Sequence, residues 1–274
     1  MKDSATRTAE GIRLYGLDEF EGMRRAGRQA AEILDLVGPR VHPGVTTGEL
    51  NSFIHDEVDR RGLISATIGY RGYQHASCIS VNHVVCHGIP SDKALKDGDI
   101  LNIDVTVIED GWYGDTSRMF VAGTLAKKAE RLIDVTHDAL MEGIKAVRPG
   151  QHFGDIGHAI QTYAESRRCS IVRDFCGHGV GQSFHEPPNV LHYGKPNDGS
   201  VLRPGMIFTI EPMVNLGKAG TKVLGDGWTA VTRDRSLSAQ FEHSVGVTED
   251  GVEIFTLSPT GCFHPRDIPQ SETA

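Results

Sequence analysis

Cysteine is scarce in this chain of 274 residues: five are present (Cys78, Cys86, Cys169, Cys176, Cys262), an odd number with no CxxC spacing. That excludes a disulfide framework and a structural zinc knot, and it points to a reducing cytoplasm. Basic charge is also lacking. The formal net charge is -8, which argues against a surface built for nucleic acid. No run approaches the roughly 18 apolar residues of a membrane span, and MKDSATRTAEG at the N-terminus has no apolar core of a secretory signal. Glycine, by contrast, is abundant at 32 residues and clusters beside histidines and acids, as turns shaped around a site would require.

What is present is said twice. LKDGDILNIDVTV at 95–107 returns as LRPGMIFTIEPMV at 202–214, and VHPGVTTGEL at 41–50 returns as VRPGQHFGDI at 147–156. Two phrases in the same order at nearly equal offsets indicate an internal repeat. A helical stripe precedes each copy: Met23, Ala26, Ala30, Leu34 and Val37, then Ile133, Leu140, Ile144 and Val147. Pro-Gly is read as the end of each of these helices. A second helix follows in each half. The first opens on a capping box, Thr46 to Glu49, and buries Ile54 and Val58; the later one uses Ile156, Ile160 and Tyr163. Strands follow, so each half reads helix, helix, strands. The expectation is a pseudo-twofold α+β domain whose two antiparallel sheets meet at a shared cleft.

Each returning phrase carries an acid, Asp104 or Glu211, among residues that suit a buried strand. After Asp104, Glu109-Asp110-Gly111 marks a hairpin turn. With Glu109-Asp110 as the loop, Asp104 faces Asp115 directly; with Asp110-Gly111, the two are diagonal neighbours. Either register puts both on one sheet face, and a three-residue loop would need a bulge, for which Gly114 is suited. Like charges on a buried face need a shared proton or a cation. The second half favours the cation, since it adds Glu211, Glu242 in SAQFEHSV and a candidate imidazole, His178 in CGHGVG. Four carboxylates and a neutral imidazole balance two divalent ions. Oxygen and nitrogen donors without cysteine suit Mn, Fe, Co or Zn in a reactive site. His87 in HGIP and His185 in SFHEPP are candidates to donate hydrogen bonds to a polarised carbonyl.

NIDVTV…DGWYGDTS, CGHGVGQSFHEPPNVLHY, TIEPMV and RSLSAQFEH together resemble the type I methionine aminopeptidases of the creatinase, or "pita-bread", fold, over roughly residues 17–258. The resemblance implies a dinuclear metal cleft with helices outside and a single domain over 17–258 with repeats at about 17–125 and 126–258; outside it lie an N-terminal extension at 1–16 and a tail at 259–274 whose polar composition reads as mobile. It implies Asp104, Asp115, His178, Glu211 and Glu242 as metal ligands, Asp115 and Glu242 bridging two ions, with Asp104 on one and His178 and Glu211 on the other. The implied activity is removal of the initiator methionine from nascent proteins with a small second residue, by attack of a metal-bridging hydroxide on the scissile carbonyl. Glu211 would relay the proton, His185 would hydrogen-bond the carbonyl oxygen and His87 would lie near the scissile amide. Tyr70, Tyr73, Cys78, Phe184 and Trp228 would line the methionine pocket with His87 and His185, and Thr67 stands where relatives have Cys. Nascent N-termini, at the ribosome, are the implied partners, and a cytoplasmic monomer is expected.

Four rivals are weaker. Prolidases and aminopeptidase P carry a large extra N-terminal domain, and type II methionine enzymes carry a long insertion between the last two acidic ligands, here only 31 positions apart. A non-catalytic binding scaffold of this fold would show damaged ligand positions. A dinuclear phosphoesterase would want basic groups beside the metals.

Overall fold

The computed structural model describes residues 6–268. The outermost parts of the expected extension and tail, residues 1–5 and 269–274, lie outside the described residues. Four helices, α1 (Phe20–Val37), α2 (Thr47–Arg60), α3 (Lys127–Lys145) and α4 (Phe153–Ser166), follow the twofold plan. The expected stripe of α1 is buried throughout, as are Ile133, Leu140, Ile144 and Val147, the last just beyond the end of α3. The capping box of α2 forms: the Thr46 hydroxyl accepts from the Glu49 N–H at 3.0 Å, and Glu49 accepts from the Thr46 N–H at 2.8 Å. Pro-Gly does not end α1 or α3, which stop earlier, at Val37 and Lys145. It instead makes the turn into the next helix, with Gly44 and Gly150 at φ of 94° and 87°, a region glycine enters freely.

In the first half the strand Asp99–Glu109 pairs along its whole length with Trp112–Ala122, and on its other edge with Cys78–Val81 and Ile64–Ser65. The loop is Asp110-Gly111, with φ of 49° and 83°; two positive values suit the right-handed twist of a two-residue hairpin. The ladder is regular, so Gly114 is not a bulge. Gly114 serves close approach instead: a Cβ there would lie 2.1 Å from the Ala26 carbonyl oxygen of α1, so only glycine lets the helix rest on this strand.

In the second half Ile207–Ile210 pairs with His243–Val247, and Met213–Asn215 with Ser238–Gln240. The register runs unchanged across the gap, which sets Glu211 opposite Glu242 where no ladder forms. Pro212 has no N–H to give, and both acids' amides go elsewhere. The Glu211 N–H donates to His192 Nε2 at 3.1 Å, and the Glu242 N–H to the Ser117 carbonyl at 3.0 Å. The second of these joins the two halves. Around it Thr116 Oγ1 donates to the Glu242 carbonyl and Ser244 Oγ to the Asp115 carbonyl, both at 2.7 Å. The shared cleft opens at this seam, with α1 and α2 packed outside one sheet and α3 and α4 outside the other.

The segments flanking the expected domain are packed. Thr6–Arg7 and Arg13–Leu14 form a short hairpin, and Ile12 and Tyr15 are buried. At the other end Cys262 and His264 are buried, so the described part of the tail is not loose as expected. Its anchor is Arg118, which is buried with Asp35 as its ion-pair partner and donates to the Cys262 carbonyl at 2.8 Å.

Candidate metal centre and pocket

Period-two alternation brings the acids to one place. Asp104 pairs in register with Ser117, and Thr106 with Asp115, so Asp104 and Asp115 are the diagonal pair on the cleft face. Thr106 Oγ1 donates to Asp115 Oδ1 at 2.7 Å. From the second half Thr209 Oγ1 donates to Glu211 Oε1 at 2.8 Å, and Gln240 Nε2 to Glu211 Oε2 at 3.2 Å. One donor atom each from Asp115, His178 and Glu242 lie within 4.8 Å of one another. Glu211 is adjacent, with Oε1 3.6 Å from His178 Nε2, and Asp104 lines the same cleft.

His178 shows what these atoms need. Its Nδ1 lies 3.1 Å from the Gly179 carbonyl oxygen, which can only accept, so Nδ1 carries the proton. Its Nε2 then turns a bare lone pair toward Asp115 Oδ2 at 3.5 Å and Glu211 Oε1 at 3.6 Å. Burial lowers the His178 pKa to about 4, so the ring stays neutral at pH 7. Burial, reinforced by neighbouring carboxylates, pushes the carboxyls of Asp104, Glu211 and Glu242 well above their ordinary range. It lifts Asp115 to about 7, against the opposing hydrogen bond from Thr106. Lone pairs that converge in a buried place without a cationic partner fit a divalent ion. The donor set, four carboxylates and one imidazole, has the oxygen and nitrogen chemistry of such ions.

All seven expected pocket residues line the same cleft of about 550 Å³. Tyr73 and Trp228 meet edge to face with ring centroids 4.9 Å apart, and Tyr70 lies 4.8 Å from Phe184. The Tyr73 hydroxyl donates to the Ser77 carbonyl at 3.0 Å, which leaves its ring as the surface offered to a ligand. His185 stacks on Tyr70 at 5.1 Å and lies 4.0 Å from the His178 ring. Burial among these groups brings its pKa down to about 3. His87 sits at φ 55°, edge-on to Phe175 and Trp228, and burial lowers its pKa too.

Sequence reading passed over Thr106, Thr209, Gln240 and His192. The first three had a signal, since each stands two positions from an acid on the same strand face: 104 and 106, 209 and 211, 240 and 242. His192, fully buried, had none beyond nearness in the chain. Cys86, Phe175, Cys176 and Met213 also line the cleft. Arg71 does as well, a cation at its outer wall that the sequence reading did not anticipate.

Residues 21–249 match the family model described as Metallopeptidase family M24. A methionine aminopeptidase of Rickettsia prowazekii is 54% identical over 255 residues, covering 93% of this chain and 98% of that protein. One of Escherichia coli strain K12 is 53% identical over 242 residues, covering 88% and 92%. The crystal structure of the Rickettsia prowazekii methionine aminopeptidase superposes with a TM-score of 0.89 at 55% identity, over 90% of this chain and all of that one. A prolidase from Pyrococcus horikoshii, at 19% identity and a TM-score of 0.69 over 89% of this chain and 63% of its own, shares the pita-bread fold alone. The expected architecture is thus the observed one, and the chain belongs to metallopeptidase family M24, among its methionine aminopeptidases.

Proposed function

We propose that this chain removes the N-terminal methionine from nascent proteins and peptides whose second residue is small. One observation carries the reading: a carboxylate-rich donor cluster and an aromatic, thiol-lined pocket open into the same cleft. In this reading Asp104, Asp115, His178, Glu211 and Glu242 hold two divalent ions among Co, Mn, Fe and Zn. Bound there, such ions supply Lewis-acid polarisation of a carbonyl and acidify water.

The chain's own groups do the rest. Thr106, Thr209 and Gln240 fix the rotamers of Asp115 and Glu211: Thr106 holds Asp115 Oδ1, and Thr209 and Gln240 hold the two Glu211 oxygens, each of which keeps a second lone pair. The Gly179 carbonyl fixes the His178 tautomer, as a ligating imidazole requires. Glu211, in its carboxylate form and open to the cleft, is suited to take a proton and pass it to the leaving amine. His185, neutral at pH 7, has one N–H to donate to the scissile carbonyl oxygen, and His87 stands across the cleft beside the scissile amide. Tyr70, Tyr73, Phe184 and Trp228 present ring surface, and Cys78 a protonated thiol, to a thioether side chain. Sulfur–aromatic contacts favour methionine over polar residues there.

The same reading makes nascent N-termini at the ribosome the substrate and the protein a cytoplasmic monomer. Five free thiols support a reducing compartment. Among the described residues no helix is long and apolar enough to cross a membrane.

The test is free methionine release from Met-Ala-Ser by chelator-stripped protein, titrated separately with Mn, Co, Fe and Zn. Release that requires metal, and no hydrolysis of Pro-Ala-Ser, is expected. No release with any metal from folded protein would leave a binding scaffold as the better reading.

A further inference from the structure

Residues 181–185 form neither helix nor strand, yet they carry Phe184 and His185, one wall of the pocket and a group assigned to the scissile carbonyl. Tyr113 holds one side of them, its N–H donating to the Gly181 carbonyl at 2.8 Å and its ring stacked on Phe184, and the N-terminal segment holds the two ends. Tyr15 is buried, 4% exposed, with its ring 5.3 Å from Trp112. Its backbone is fixed too, since the Tyr15 N–H donates to the Gly205 carbonyl at 2.8 Å. Its hydroxyl meets both ends of the loop: it accepts from the Gln182 N–H at 3.0 Å and donates to Glu186 Oε1 at 3.0 Å. Two more residues of the same segment reach the same two partners. Arg13 Nη2 donates to Gln182 Oε1 at 2.7 Å, and Arg7 Nη2 lies 3.5 Å from Glu186 Oε2. The loop is fitted to this strut, because a Cβ at Gly181 would come within 2.3 Å of the Tyr15 hydroxyl.

We infer that Tyr15 is a positioning residue for the reaction, its hydroxyl setting the height of the 182–186 loop and so the placement of His185 and Phe184 over the cleft. The inference rests on the aminopeptidase reading above. It gives residues 6–15 a part in catalysis without contact to substrate. A hydroxyl that accepts from one loop end and donates to a carboxylate at the other fixes their separation. Without it the loop keeps the more exposed arginine contacts, the Tyr113 N–H on the Gly181 carbonyl and the Tyr113 ring on Phe184, none of which spans Gln182 to Glu186, and a displacement of a catalytic group by about 1 Å is enough to slow chemistry.

The experiment is a double-mutant cycle on metal-loaded, full-length protein. Tyr15→Phe keeps the ring on Trp112 and removes only the hydroxyl. It should lower kcat/KM for Met-Ala-Ser roughly ten-fold, the scale of one hydrogen bond to a charged group, with metal content unchanged. In a His185→Ala background the same change should cost less than about two-fold, because residues that act through one another are not additive. Equal losses in both backgrounds would mean a general structural role and would overturn the inference, as would a Tyr15→Phe protein as active as the parent. Failure of the parent itself to release methionine would instead sink the functional reading. Should Tyr15→Phe not fold, Glu186→Ala removes the acceptor at the other end and takes its place in the same cycle.

Discussion

Stripping the cleft of metal should change the protonation of the protein as well as its activity. Four carboxyls gather around His178, Asp115 and Glu242 buried and Asp104 and Glu211 half-buried, and desolvation pushes the pKa values of Asp104, Glu211 and Glu242 well above the ordinary range. Burial raises Asp115 too, to about 7. His178, lowered to about 4, is already neutral and contributes no proton. Ligation requires the carboxylate forms, so loading at pH 7 should release on the order of two to four protons per chain. Calorimetric titration in buffers of different ionisation enthalpy counts them directly. Linkage gives a second reading. A carboxyl whose folded pKa is raised stabilises the fold fully below its unfolded value, and that contribution is lost as pH rises through the folded value. Stripped protein should therefore melt at progressively lower temperature from pH 5 to pH 8, and loaded protein should lose this slope. A binding heat indifferent to buffer, or a stripped melting temperature that climbs over that interval, would refute the proposed ligand cluster.

Three further outcomes follow from the same geometry. Glu211→Gln should cut turnover by about 10² or more, the scale of general acid–base catalysis; steady-state kinetics at saturating metal decides, and near-parental turnover would remove Glu211 from its role. Asp35→Ala leaves the Arg118 guanidinium buried without its carboxylate, a change worth about 3–5 kcal/mol, read as a fall in denaturation midpoint at constant m-value; a negligible fall would mean that the Cys262 and Ala31 carbonyls suffice. Thr46→Ala removes one half of the α2 capping box and should cost about 1 kcal/mol with activity intact, which the same denaturation experiment measures beside a methionine-release assay.

How far the sequence could be read depended on whether a signal was local or needed a partner. The repeat, the buried stripes of α1 and α3 and the capping box at Thr46 are local in sequence, and they appear where periodicity and cap chemistry put them. The hairpin was legible up to its loop. One residue of loop placement decides whether Asp104 faces Asp115 directly or diagonally, and only the positive φ at both Asp110 and Gly111 selects the diagonal register. The role of Gly114 is not legible locally, because its neighbour, the Ala26 carbonyl, lies far off in the chain. Pro43-Gly44 and Pro149-Gly150 break helices locally and so read as helix ends, but α1 and α3 stop before them, at Val37 and Lys145. Residues 6–16 and 259–268 offered no motif at all. Their order comes from Tyr15, Arg118 and Asp35, whose partners are distant and whose side chains give no periodic pattern.

The seam between the halves also has a consequence for the order of events during folding. Thr116 and Glu242, hydrogen-bonded across it, are 126 positions apart, whereas the Asp104–Asp115 hairpin closes over a two-residue loop. The first pair of acids can therefore gather early, on the microsecond scale of a hairpin, while the second must await long-range closure, which is intrinsically slow. On a ribosome the segment bearing Glu242 emerges well after the Asp104–Asp115 hairpin, so a nascent copy has half a centre and no tight grip on metal until then. Ion capture would then be a late and all-or-none event, and the rate at which a refolding chain acquires it would time the docking of one half on the other.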